Sequence, residues 1–155
     1  MKLFVASDHA GFQLKSELIK KIHEYGDNVN NFEIELVDLG TNSDESCDYP
    51  IFAKKLVENL LNASEQDRGI LICGTGIGMS IAANRHSQIR AALCFNEEMA
   101  IMSRKHNNAN VLVLGARIID FDVALQCIRA FLKTDFEGGR HARRLALIDE
   151  CTKQC

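Results

Sequence analysis

Apolar residues fall along this chain in two kinds of run. Short, solid runs occur at Leu3–Ala6, Ile34–Leu39, Ile70–Cys73, Arg90–Cys94 and Val111–Gly115. Each has the length and content of a buried strand. Longer stretches with helical spacing lie between them. Ala10–Tyr25 carries apolar residues at 14, 18, 19 and 22, which share one face of a helix. Ile51–Leu61 follows Pro50, the only proline, which suits a first helical turn. Met79–Arg85, Glu97–His106 and Asp120–Leu132 continue the alternation. Gly138-Gly139 then breaks the chain before a last helix, at about Arg140–Lys153.

This alternation predicts a parallel sheet covered on both faces. The expected fold class is α/β: a three-layer α/β/α, Rossmann-like domain. Its five-stranded parallel sheet is expected in the order 2-1-3-4-5, with a C-terminal helix. The polar stretch Gly26–Glu33 reads as a loop. No linker, repeat or shift of composition interrupts the chain, so 1–155 reads as a single domain.

Composition narrows the classes of function. The 155 residues are enough for a substantial core. The net charge of -3, with Lys and Arg scattered, gives no footprint for nucleic acid. No apolar run approaches the ~20 residues of a membrane span, and the N-terminal run is too short for a signal peptide. Six cysteines form no C-x-x-C pair or zinc spacing. They read as free thiols of a reducing, cytoplasmic compartment. Cys151 and Cys155 are spaced to share one helix face, without visible partners for a metal.

In an open α/β sheet, ligands bind beyond the carboxyl ends of the strands, where the strand order reverses. Two segments converge on that crevice, between the first and third strands. One is Ser7-Asp8-His9-Ala10-Gly11; the other is Cys73-Gly-Thr-Gly-Ile-Gly78. A strand, a glycine turn and a helix N-terminus together cradle an anion. Cys73 stands at the mouth of that cradle, where a thiolate is favoured; the plainer role is a small core residue. Asp8 is either a helix cap or a substrate ligand. His9 is either a surface histidine or, as its place at a strand's carboxyl end favours, a functional one.

Gly74-x-Gly76-x-Gly78 lacks the G-x-G-x-x-G spacing, the acidic ribose partner and any G-K-[ST], so a nucleotide fingerprint is not supported. His106-Asn107 ends the helix after the fourth strand and is expected near the carboxyl-end face. The alternative is a polar helix terminus. Arg140 and Arg144 project from one helical face and can grip a phosphate or form surface ion pairs. Arg143 lies off that face. His23 and His86 read as surface residues.

Further motifs extend the picture: Asp48-Tyr49-Pro50, Ala82-Ala83-Asn84, His106-Asn107-Asn108-Ala-Asn110 and Gly138-Gly-Arg-His141 with Arg144. With the two crevice segments they resemble the type B ribose-5-phosphate isomerase family, which includes the galactose-6-phosphate isomerase subunits. The resemblance covers essentially the whole chain. It implies an aldose–ketose isomerase of the pentose phosphate pathway that uses no metal or organic cofactor. Its partner molecule would be a sugar phosphate. The site would lie between the subunits of a homodimer, some relatives being tetramers.

The family has a cysteine version and a glutamate version of the catalytic base. Cys73 is present here and Met79 holds the alternative position, so this chain resembles the cysteine version. His106 and the Gly-Arg-His segment favour ribose 5-phosphate over galactose 6-phosphate, with allose 6-phosphate also open. A non-enzymatic sugar-phosphate-binding module is the alternative from another class.

Isomerisation moves a proton between C1 and C2 of an open-chain sugar and needs a base and an enediolate hole. Cys73 is expected as the base. The loop over Gly74, Thr75, Gly76, Ile77 and Gly78 is expected to hold the enediolate, with Thr75 relaying a proton. Asp8 would orient hydroxyls. His106, from the partner subunit, would open the ring beside Asn107. His9, Arg140, Arg144 and Arg117 would bind phosphate, and Tyr49 would pack against the sugar.

Overall fold

The computed structural model describes residues 1–24 and 34–152. The polar stretch 26–33, Cys155, and the side chains of His23 and Cys151 lie outside what is described. The strands are β1 (Lys2–Ser7), β2 (Glu35–Asp38), β3 (Arg68–Cys73), β4 (Ala91–Leu93) and β5 (Val111–Gly115). The helices are α1 (Phe12–Glu24), α2 (Tyr49–Leu61), α3 (Ile77–Ala83), α4 (Glu97–Asn107), α5 (Phe121–Lys133) and α6 (Arg140–Thr152).

All pairings are parallel. The order is β2-β1-β3-β5-β4, so the expected doubly wound sheet is present with its last two strands exchanged. Burial explains the exchange. Every residue of β5 is buried, as a strand flanked on both sides requires. In β4 only Ala91 is buried, and Ala92 and Leu93 are half-buried, as suits a short edge strand.

Side chains of the central strands alternate between two cores. Leu3, Val5, Ile70, Ile72, Leu112 and Leu114 pack on the side of α1 and α5. Phe4, Ala6, Leu71, Cys73, Val111 and Val113 pack on the side of α2. Each large apolar side chain so buried contributes about 1.5–3 kcal/mol.

Helix starts follow local chemistry. Asn96 caps α4 by accepting from Met99 N–H at 2.9 Å, and Asp120 caps α5 by accepting from Val123 N–H at 2.9 Å. Pro50 sits in the first turn of α2, which begins at Tyr49, slightly earlier than expected. α3 also begins early, at Ile77, because Gly76 takes the left-handed conformation (φ +80°) and turns the chain directly from strand to helix. No described helix is long and apolar enough to cross a membrane.

The observed strand order has a direct test in amide hydrogen exchange. Amides of Val111–Gly115 are expected to exchange only through global unfolding, and those of Ala91–Leu93 through faster local opening. Equal protection of the two strands would contradict β4 at the edge.

Candidate active site

The carboxyl ends of β1 and β3 meet as the topology requires. Asp8 is buried, and its carboxylate caps the short 3₁₀ turn His9–Gly11, accepting from Gly11 N–H at 3.0 Å. Both sequence readings of Asp8 therefore remain compatible, because one carboxylate oxygen suffices for the cap. A side chain at Gly11 would place Cβ 2.5 Å from the Ile72 carbonyl oxygen, so only glycine lets this turn lie against β3. Asp8 N–H donates to that same carbonyl at 3.2 Å.

Cys73 ends β3 and is 5 % exposed, with its sulfur accepting from Gly76 N–H at 3.2 Å. Thr75 is exposed, and its Oγ1 accepts from Ile77 N–H at 3.4 Å. Arg117 follows β5, donates its N–H to the Gly74 carbonyl at 2.9 Å and lays its guanidinium beside Gly74. The Tyr49 ring lies over Gly78.

His9 is held by the loop before α2. Its Nδ1 lies 3.2 Å from the Cys47 N–H nitrogen and 3.3 Å from the Cys47 carbonyl oxygen. Asp8, His9, Tyr49, Cys73, the loop Gly74–Gly78 and Arg117 thus form one group at the carboxyl edge.

The remaining residues gather elsewhere. His106-Asn107 was expected near the carboxyl-end face; it lies at the amino edge instead. α4 leaves the carboxyl end of β4 and runs back beside the sheet for about 16 Å. Asn108–Asn110 then lead into Val111, which pairs with Gly69 and Ala91 at the strand starts. The Asn110 carbonyl accepts from Gly69 N–H at 2.9 Å. Buried Arg104 secures this end of α4, with Nη1 donating to Asn108 Oδ1 at 2.9 Å and to the Ala109 carbonyl.

The His106 ring stacks on His141, with centroids 4.2 Å apart and planes 5° from parallel. Glu137 Oε2 lies 3.9 Å from Nε2 of each ring, and Glu137 Oε1 lies 3.3 Å from Lys105 Nζ. Arg140 reaches His141 Nε2 through its Nε at 3.4 Å. Burial, followed by the charges of His106, Arg140 and Arg144, holds the His141 imidazolium below the ordinary range, and Glu137 opposes this. Arg140 and Arg144 therefore stand with His106, apart from Cys73.

His106, Glu137 and His141 each offer one ligating atom, all within 4.8 Å of one another. Parallel rings do not converge their lone pairs on one ion, and Lys105, Arg140 and Arg144 add positive charge. The arrangement suits an anion better than a cation. Glu137 and Cys47 are contacts that sequence reasoning missed. Glu137 stands four residues before His141, a spacing that could have suggested the pair, whereas nothing in the pattern marks Cys47 as a partner of His9.

The fold and site define a doubly wound α/β protein with a glycine-rich loop and a thiol at its topological switch point. The model of the Ribose/Galactose Isomerase family matches residues 3–148, and the chain belongs to that family. It is 42% identical over 147 residues to ribose-5-phosphate isomerase B of Escherichia coli, covering 95% of this chain and 93% of that protein. The solved ribose-5-phosphate isomerase B of Clostridium thermocellum matches with a TM-score of 0.91 and 44% identity, over 99% of each chain. That of Mycoplasma genitalium, with bound ribulose-5-phosphate, matches with a TM-score of 0.90 and 39% identity, over 99% of this chain and 97% of the other.

The electrostatics of the amino-edge group can be read by NMR titration. His141 is expected to titrate below 6.5, lower still in Glu137→Gln and higher in Arg144→Gln. Because folding lowers this value, the associated stability is complete above 6.5 and is lost as pH falls through the folded value. A His141 that titrates at or above 6.5 would contradict the arrangement.

Proposed function

We propose that this chain is an aldose–ketose isomerase interconverting D-ribose 5-phosphate and D-ribulose 5-phosphate through a cis-enediolate. The observation that carries the mechanism is the Cys73 sulfur set against the Gly76 N–H at the mouth of the glycine loop, 3.2 Å away. Family membership and the relative solved with ribulose-5-phosphate support the substrate.

In this mechanism the Cys73 thiolate takes the proton from C2 of the open-chain aldose and returns it to C1. N–H groups of the loop from Gly74 to Gly78 stabilise the enediolate oxygens as charge develops. Thr75, exposed beside them, shuttles the hydroxyl proton between O1 and O2. Asp8 uses its uncapped oxygen to orient sugar hydroxyls. Tyr49 covers the sugar, and His9 and Arg117 meet the phosphate from this side.

Ring opening needs an acid–base group, and His106 takes that role with Asn107 beside it. His106 lies at the amino edge, so within one protomer it is remote from Cys73. Four residue steps along β3 separate Gly69 from Cys73, roughly 13 Å. A second copy packed in the opposite direction brings its His106, Arg140 and Arg144 to the first copy's Cys73. Apolar side chains available for such a homodimer are Ile77 (52%) and Ile81 (54%), one turn apart on α3. The described cysteines Cys47, Cys73, Cys94 and Cys127 are free, which suits a reducing, cytoplasmic setting and the pentose phosphate pathway. Residues 1–155 act in this reading as a single isomerase domain.

Cys73→Ala is expected to lower kcat on ribose 5-phosphate at least ~100-fold in folded protein; near wild-type turnover would sink the base assignment. The shared site is tested by mixing. Cys73→Ala and His106→Asn, each inactive alone, should recover about a quarter of wild-type activity after subunit exchange, because half of the dimers then carry one intact site. No recovery in verified mixed dimers would place both groups in one chain's site.

A further inference from the structure

We propose that Lys15 and Asp38 are a positioning pair that holds the Asp8–His9 segment in its working geometry; this rests on the isomerase reading above. Lys15 stands on the first turn of α1 and is 1 % exposed. A lysine so buried is tolerated only with a close counter-charge. Its Nζ reaches Asp38 Oδ1 and Oδ2 at 2.5 and 2.6 Å. Asp38 ends the edge strand β2, opposite Val5.

The same carboxylate does a second job. Asp38 Oδ1 also accepts from Gly40 N–H at 2.9 Å. Gly40 in turn accepts from Ser7 N–H through its carbonyl at 2.6 Å, and Thr41 N–H donates to the Ser7 carbonyl at 2.7 Å. Ser7 is the residue before Asp8. Its own hydroxyl is buried without a hydrogen-bond partner and adds no restraint. On the β2 side, then, Ser7 is held by backbone bonds to a turn whose first amide is fixed by Asp38, and Asp38 is fixed by Lys15.

One continuous chain of contacts therefore runs from α1 to the residue preceding Asp8. On the β3 side, Asp8 N–H bonds to the Ile72 carbonyl at 3.2 Å. Neither Lys15 nor Asp38 belongs to the groups assigned to the substrate. They act through Ser7, and the consequence falls on Asp8 and His9. Small misplacements of such groups are costly, because orientation supplies much of the rate.

Two variants test the pair. Lys15→Met/Asp38→Asn removes both charges together, so no ion is left buried without its partner. Asp38→Glu keeps the charge and displaces the carboxylate by one methylene. Both are assayed on ribose 5-phosphate at a temperature where circular dichroism shows them folded. Amide exchange is followed at Ser7 and Thr41. KM is expected to rise about tenfold, more than kcat falls, because Asp8 and His9 hold the substrate. Ser7 and Thr41 amides should exchange at least ~10-fold faster, with Val111–Gly115 unchanged.

A merely structural pair would lower the melting temperature and leave KM and local exchange as in wild type. That result, in either folded variant, overturns the proposal. If the charge-free variant does not fold, Asp38→Glu decides alone. A wild-type protein without turnover on ribose 5-phosphate overturns the isomerase reading, and exchange at Ser7 and Thr41 then still decides whether the pair holds this segment.

Discussion

A parallel sheet makes its two edges chemically different, and the rest of this molecule follows from that. Every strand pairing here is parallel. Residues that follow strands collect at one edge, and residues that end helices collect at the other. Asp8, Cys73 and Arg117 belong to the first class; His106 and Asn107 belong to the second. No rotamer change carries His106 to Cys73 within one protomer. If both groups act on one sugar, a second copy is needed by the chemistry itself and is not an accident of packing.

Most of the fold was legible because strands buried on both faces leave an unmistakable mark. Val111–Gly115 reads as solidly apolar and is buried throughout. The position of β4 was not legible in the same way, since adjacency along the chain says little about which side of β5 a strand takes. Its three residues, only one of them fully buried, are the trace of an edge, but too short to read beforehand. Helix α3 began earlier than its apolar pattern because the left-handed backbone of Gly76 turns the chain before the first core residue, Met79.

The site was legible where topology did the work. Asp8, His9 and Cys73 follow neighbouring strands, so they had to meet. His106 was misplaced because a helix of eleven residues returns the chain across the whole sheet. Lys15 could not be found from the pattern at all. A lysine in an amphipathic helix reads as solvent-facing, and its partner lies twenty-three residues away on an edge strand. What identifies it is burial, a property of the assembled fold.

The placement of Cys73 also bears on why sulfur suits this position. Its side chain is the last of the β3 residues that face the α2 core, packed with Leu71, Met79 and Val113. A carboxylate there would leave water for a site whose donor is the Gly76 amide. That would be a large desolvation cost with little compensation. A neutral thiol tolerates such surroundings as a small apolar group. It meets charge only at its outer face, where the loop amides and the helix terminus begin. Met79 is fully buried in the same core, so the glycine loop offers no carboxylate of its own. The residue at the end of β3 therefore serves two environments, closing a dry core behind it and meeting the Gly76 amide of the glycine loop in front, and a cysteine satisfies both.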